Sequence, residues 1–370
     1  MVSVIAYISE ALLIILVPIT SQHISPFKIM SFAVFSSCIT IFLSSYIENL
    51  YFFCIVVGTI TGYSSAFITF PAVWLSWERF PNQKGLGTSA NYLGYRGSPF
   101  YYGILFTLIV NPSDQFPVNG YFSADIYESV PSSLRIFALA LFVAGITGCL
   151  MMFSGEGAKH QQEYNHTYTL LDVLKDWRFH YLFFFMAFKS FFNYYIINTY
   201  KIMAIETIND DYFLAYVGSI GFFSSGLLAI VYGKILDNFD YRKVNLAFIV
   251  IDILICMLIP IGLEYKYLYG FLVALEIGLG GNSFMTVWLM SEKIYKKEKW
   301  VVSLLSLSLI VDFVGVYIVD NFIRINFGNT FSLGVCLVII LISLLFLSID
   351  LEKTYSKQDR LIELQQEEKF

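Results

Sequence analysis

The sequence predicts an all-α polytopic membrane protein, and three observations carry that expectation. The chain of 370 residues is 57% hydrophobic and 18% aromatic but only 14% charged, whereas soluble domains are roughly a quarter charged. The apolar residues gather into eleven stretches of 17–27 residues, near the ~20 that a helix needs to cross a bilayer. A soluble core could not bury so many apolar helices, and in lipid a helix satisfies its own backbone groups. Third, with the loops numbered alternately, most basic residues fall on one side, among them Lys28, Arg79, Lys84, Lys175, Arg178, Lys234, Arg242, Lys243 and Lys293, with the C-terminal tail. Basic loops remain cytoplasmic.

The elements follow in order. The first expected span, 4–20, runs into the polar segment PITSQHISPFK, 18–28. Spans 28–46 and 50–76 come next. Span 87–110 contains NYLGYRGSPFYYG, with Arg96 near its middle. Loop 111–131 carries Asp114, Asp125 and Glu128 but no Lys or Arg, which suits the outer face, and leads to span 132–153. The longest polar break, 155–178, divides these five spans from six more: 179–203, 212–236, 243–263, 266–291, 300–322 and 328–349. The expected organisation is an N-terminal bundle over 1–153, a cytoplasmic linker over 154–178, a C-terminal bundle over 179–350 and a cytoplasmic tail over 351–370.

Several function classes receive no support. The five cysteines, Cys38, Cys54, Cys149, Cys256 and Cys336, lie within apolar spans without paired spacing and read as small core residues. The four histidines form no ligand pattern. No metal and no cofactor is expected, and no nucleophile motif or His/Asp cluster points to an enzyme. GLGTSA at 85–90 has a dinucleotide-like Gly-x-Gly but no surrounding βαβ unit. No basic leader with a cleavage site precedes the first span. Asn165-His166-Thr167 matches a glycosylation acceptor, on the expected cytoplasmic side. No nucleic-acid partner is expected; the partners are a small solute, protons and the bilayer, with a monomer as the oligomeric state.

One segment carries a motif. In GKILDNFDYRK, 233–243, Gly233 lets two helices approach, Asp237 can cap a helix or pair with a cation, and Arg242 and Lys243 hold the turn at the cytoplasmic surface. PITSQHISPFK occupies the equivalent place in the first half, with Pro18 for the glycine and Gln22 for the aspartate. Both segments end one span and begin another, as expected of a duplicated transporter.

GKILDNFDYRK resembles the loop motif of the major facilitator superfamily: glycine, spacer, aspartate four later, then a basic pair. WLSWERFPNQKGLGTSANYLG, 74–94, resembles the helix 4–5 junction of that superfamily's oxalate/formate antiporter and monocarboxylate transporter branch. DDYFLAYVGSIGFFSSGLLAIVYGKILD, 210–237, is similar to that branch's helix 8. The resemblance implies a two-bundle fold in which the eleven spans correspond to helices 2–12, the first helix being absent. It also implies a secondary transporter working by alternating access; separately, the plasma membrane is expected over an organelle membrane. The branch's basic residue on helix 8 has no counterpart in SSGLLAIVYG, 224–233, where Ala229 stands near the place, and helix 11 offers Asp312 instead of a lysine.

Four charges then fall at one depth: Arg96 on helix 5, Lys189 on helix 7, Glu276 on helix 10 and Asp312 on helix 11. A charge there costs about 2.5–3.5 kcal/mol even on the lenient insertion scale, so such residues face water, a partner or a substrate path. In one reading Arg96 and Lys189 anchor an anion such as a monocarboxylate, while Glu276 and Asp312 carry coupling protons. In the other they form structural ion pairs, for example Lys189 with Asp312. Arg96 would point at a polar cavity or at a carboxylate such as Glu276. Tyr92 and Tyr95 with Asn91 near Arg96, Asn193, Tyr194 and Tyr195 near Lys189, and Asn282 are further candidate lining residues. Gly278, Gly280 and Gly281 with Asn282 read as close helix packing or local unwinding. Asp252, on a peripheral helix, is expected to pair with a neighbour, and Glu10 could face the cavity. The alternative function is a non-transporting receptor or scaffold on a degenerate carrier fold.

Overall fold

The computed structural model describes residues 2–110, 112, 123–153, 169–208, 210–295 and 300–349. The greater part of the expected linker with its acceptor Asn165, most of the acidic loop after residue 110, and the tail lie outside the described residues. The described residues are almost entirely helical. Seven helical stretches are long and apolar enough to cross a membrane, and large apolar side chains such as Leu12, Phe32, Leu139 and Val314 are exposed on their outer faces. That is the surface a bilayer covers, and the protein is a multi-pass integral membrane protein.

The chain forms two compact units. The first takes in residues 1–165 together with Phe222–Gly233; the second takes in 166–221 and 234–370. The first unit contains α1 (Val2–Leu13), α2 (Leu16–His23), α3 (Pro26–Ser44), α4 (Leu50–Arg79), α5 (Lys84–Val110) and α6 (Ala124–Phe153). Pro26 occupies the first turn of α3, where its missing N–H is no loss. Asn49 caps α4 by accepting from Phe52 N at 3.0 Å, satisfying an otherwise orphaned donor.

α1 packs on α4, and the contact is made by backbone. Gly58, Gly62 and Ala66 recur at four-residue spacing on one buried face of α4. A Cβ on Gly62 would lie 2.2 Å from the Ala6 carbonyl oxygen and 2.6 Å from Glu10 N; one on Gly58 would lie 2.8 Å from Ile5 Cβ. Small residues let membrane helices approach this closely. Gly62→Ala is therefore expected to force α1 away from α4 and destabilise the protein by about 1–3 kcal/mol, seen as a lower unfolding temperature of the detergent-solubilised chain. An unchanged unfolding temperature would contradict the contact.

The second unit contains α7 (Leu170–Lys175), α8 (Trp177–Ile208), α10 (Tyr241–Gly262), α11 (Lys266–Gly280), α12 (Phe284–Ile294), α13 (Trp300–Leu305), α14 (Ser308–Ile318), a π turn (Val319–Arg324) and α15 (Ile325–Leu347); α9 (Asp211–Asn238) is divided between the units. Within the stretch spanning α11 and α12, 83% of the apolar window is buried, against 11% for α6. This stretch runs through the middle of its bundle. Gly328, at φ +84°, turns the chain near the start of α15, a conformation that favours glycine.

At one end of this unit Asp210 caps α9, accepting from Phe213 N at 2.9 Å, and pairs with Lys266. The bond from Lys266, then that from Phe213 N, holds the Asp210 carboxyl below the usual carboxylate range. At the other end Arg178 pairs with Asp176 at 2.8 Å, and Asp176 also accepts from Tyr295 Oη at 2.9 Å.

Candidate functional site

Two polar clusters stand out, one in each unit, and that of the second unit is buried. The cluster in the second unit is built on α8, where Lys189, Ser190 and Asn193 lie within about one turn and are all buried. Asn193 Nδ2 donates to the Glu276 carbonyl at 2.8 Å and lies 3.4 Å from Glu276 Oε1. Ser190 Oγ donates to Asp312 Oδ2 at 2.6 Å. The two serine and asparagine side chains thus tie α8 to α11 and α14 through carboxylates.

Lys189 takes a different direction. Its ammonium donates to Asn245 Oδ1 on α10 and, at 3.3 Å, to the Ser283 carbonyl. Its electrostatic partner is Asp252, also on α10. Asn245, Asp252 and Cys256 share the buried face of α10, as their seven- and four-residue spacing requires. The expected example of a Lys189–Asp312 pair is therefore corrected: Asp312 takes its hydrogen bond from Ser190, and Lys189 faces α10. Asp252, buried on α10, lies within electrostatic reach of Lys189.

The Ser283 carbonyl is within reach because the helix breaks there. α11 ends at Gly280 and α12 begins at Phe284. Across the gap the bonds shorten to i→i−3: Asn282 N to Leu279 O, Ser283 N to Gly280 O and Met285 N to Asn282 O. Such tightened turns mark hinges or strained sequence. Close packing describes Gly280, where a Cβ would lie 2.4 Å from Glu276 Oε1, while Gly281 and Ser283 keep right-handed helical dihedrals, so the turn tightens without unwinding. Asn282 Nδ2 folds back onto the Gly278 carbonyl at 3.1 Å. A comparable break separates α13 from α14, with Ser303, Ser306 and Ser308 buried around it.

The first unit gathers Glu10, Ser65, Tyr95 and Arg96 from three helices. Arg96 sits about a dozen residues into α5, ~18 Å along its axis, and is 7% exposed. Its guanidinium lies 5.9 Å from the Tyr95 ring centre, within the range of a cation–π contact. Ser65 Oγ donates to Glu10 Oε1 at 2.7 Å, and Glu10 lies within electrostatic reach of Arg96. Tyr92 is buried with its ring edge-on to Tyr95, centres 5.7 Å apart. Asn91 is a tie between helices, donating to the Ala72 carbonyl at 3.3 Å. Gly97 and Gly226 let the Phe222–Gly233 segment approach α5: a Cβ on Gly226 would lie 3.3 Å from Leu93 O and from Gly97 N.

Tyr194, a further lining candidate, lies with its ring centre 5.2 Å from that of Phe313. Tyr195 is buried and donates to Ser332 Oγ at 2.8 Å, a core role.

The loop motif resolves residue by residue. Gly233 is a close-approach position, since a Cβ would lie 2.3 Å from Ser89 Oγ and 2.4 Å from Gly85 O. The helix cap anticipated at Asp237 belongs instead to Asp240, which accepts from Arg242 N at 2.8 Å; Asp237 remains in the last turn of α9. Arg242 donates to the Leu347 carbonyl at 2.9 and 2.8 Å and to the Ser348 carbonyl at 3.2 Å. Lys243 is exposed.

The fold so built is similar to that of a solved major facilitator superfamily transporter. A solved structure of a variant of the E. coli fucose:proton symporter FucP superposes with a TM-score of 0.67 at 13% identity, covering 94% of this chain and 90% of that one. A second, FucP in its outward conformation, gives 0.66 at 14% identity, covering 94% and 89%. No family model matches the chain, and no curated protein matches it in sequence.

Proposed function

We propose that this chain is a secondary transporter that moves a small organic solute by alternating access, with Arg96 anchoring an anionic group of the monocarboxylate kind and Asp312 carrying a coupling proton. The observation that supports this most is the buried Arg96 in the middle of α5, beside the Tyr95 ring and within electrostatic reach of Glu10. An arginine so placed offers a planar fork to a carboxylate, and intramembrane charges mark solute or ion paths. Asp312 suits a proton carrier because it is buried and, among the described residues, Ser190 is its hydrogen-bond partner and no cation pairs with it. The likeness to a fucose:proton symporter supports proton coupling and adds sugars as a second solute class. The basic loops support a cytoplasmic C-terminal tail.

The test is uptake into proteoliposomes of the full chain, across monocarboxylates, amino acids and sugars, with and without a pH gradient. Saturable, gradient-stimulated uptake of a monocarboxylate is the expected result. Uptake of sugars alone would overturn the anion assignment, and movement of none would overturn transport of these classes.

A further inference from the structure

Cys256 and Cys336 stand on different spans, and the fold brings them to one place. Both are free thiols, 3% and 0% exposed. The Cys256 thiol reaches from α10 to α15, donating to the Leu333 carbonyl at 3.3 Å. A helical carbonyl is within reach of the side chain three or four residues further on. For Leu333 the residue three further on is Cys336. The carbonyl that receives one thiol therefore borders the other.

Helix direction brings the sulfurs closer still. Arg242, near the start of α10, bonds to Leu347, at the end of α15. Cys256, fourteen residues along α10, bonds to Leu333, fourteen residues back along α15. The two helices thus run antiparallel in constant register over ~21 Å. Every Cα–Cβ bond tilts toward its own helix N-terminus. Cys256 therefore leans toward the level of Cys336, and Cys336 leans back toward the level of Leu333, so the turn that offsets them in register is closed from both sides. The two thiols also lie within electrostatic reach of each other. The other cysteines, Cys38, Cys54 and Cys149, belong to the first unit.

We propose that Cys256 and Cys336 form a dithiol site, which a two-electron oxidant of the peroxide class converts into a disulfide joining α10 to α15. One sulfur attacks a peroxide oxygen and the O–O bond breaks. The other oxygen leaves with the thiol proton as water. The second sulfur then displaces the oxygen of the sulfenic acid so formed: an S–S bond replaces the S–O bond, and that oxygen leaves with the remaining protons as a second water. Two thiols and one hydrogen peroxide give one disulfide and two waters, and two electrons pass from sulfur to oxygen. Burial slows the first step, and a small uncharged oxidant suits an apolar bundle that excludes ions. The neighbouring thiol, held in place by its helix, speeds the second step. The site does not depend on which solute is carried, or on transport at all.

The experiment treats the purified full-length chain in detergent with hydrogen peroxide, then denatures, alkylates and digests it for peptide mass spectrometry. Two of the five thiols should be lost together, in one peptide pair that links Cys256 to Cys336 within a single chain, and dithiothreitol should return both. Closing so long a loop should also raise the unfolding temperature, a rise that dithiothreitol reverses. Cys256→Ser and Cys336→Ser should each leave the partner thiol alkylated and abolish the rise. If a variant fails to fold, the linked peptide from the wild-type chain decides. Five alkylated thiols after oxidation overturn the proposal, as does oxidation of either cysteine to a sulfinic acid without a link. A bond between two chains, or one that involves Cys38, Cys54 or Cys149 in place of this pair, equally overturns it. A chain that forms the bond but moves no solute would leave this site standing while removing the transport reading.

Discussion

Arg96→Ala is expected to lower kcat/KM for uptake of the anionic solute by at least ~30-fold, because removing one partner of a desolvated charge pair costs about 2–5 kcal/mol. Arg96 is buried on α5 with its guanidinium 5.9 Å from the Tyr95 ring centre, and α5 offers no other basic side chain beyond Lys84 in its first turn. Arg96→Lys keeps a point charge but loses the planar fork, and its uptake should fall between wild type and alanine. Glu10→Gln separates the anchor from its internal competitor. In the proposed transporter Glu10, bonded by Ser65 at 2.7 Å, is the counter-charge of Arg96 when no anion is bound, so its removal should tighten anion binding while Arg96→Ala loosens it. Opposite signs from two residues in one cluster are hard to obtain from misfolding. Unchanged affinity in Arg96→Ala would remove the anion-anchor reading.

Lys189→Met is expected to be among the most destabilising single substitutions in the second unit. It leaves Asp252 buried without its cation, a defect worth about 3–5 kcal/mol, and it also removes the bonds to Asn245 and to the Ser283 carbonyl. The measurable result is a strongly reduced folded yield and a lower unfolding temperature. Adding Asp252→Asn to Lys189→Met should recover much of the loss, since a neutral pair carries no uncompensated charge. Adding Asp312→Asn should not, because Asp312 is bonded to Ser190 and not to Lys189. Rescue by the second double variant and not the first would show that the lysine faces the other acid.

The helical membrane class was legible because it rests on bulk chemistry: apolar runs of membrane length broken by polar segments need no tertiary information. The buried depth of Arg96, Lys189, Glu276 and Asp312 was legible for the same reason, since depth follows from position along a span. Direction was not. Lys189 has a side chain long enough to reach several neighbouring helices, and which it reaches depends on the rotation of α8 within its bundle. Asp252 was placed on a peripheral helix and so set apart from the centre. The stripe Asn245, Asp252, Cys256 on α10 was the available signal: polar residues at helical spacing on an otherwise apolar span face inward regardless of where the helix sits. Glu10 and Ser65 were harder, because 55 residues separate them and only the close backbone contact at Gly62 brings them together. The cap at Asp240 instead of Asp237 is a matter of three residues, about one turn, within the uncertainty of any helix end read from sequence.

Arg242 was read from sequence as a surface anchor, one half of a basic pair. Its guanidinium, itself at the surface, also closes over the last carbonyls of α15, groups that a helix end leaves unsatisfied, while Lys243 is exposed. The loop that opens α10 and the end of the final span are thereby latched into one mechanical piece. The two members of the basic pair are not equivalent: one is a rivet, the other only paint. A tug on the chain just after Ile349 would be shared between the end of the final helix and the α9–α10 turn.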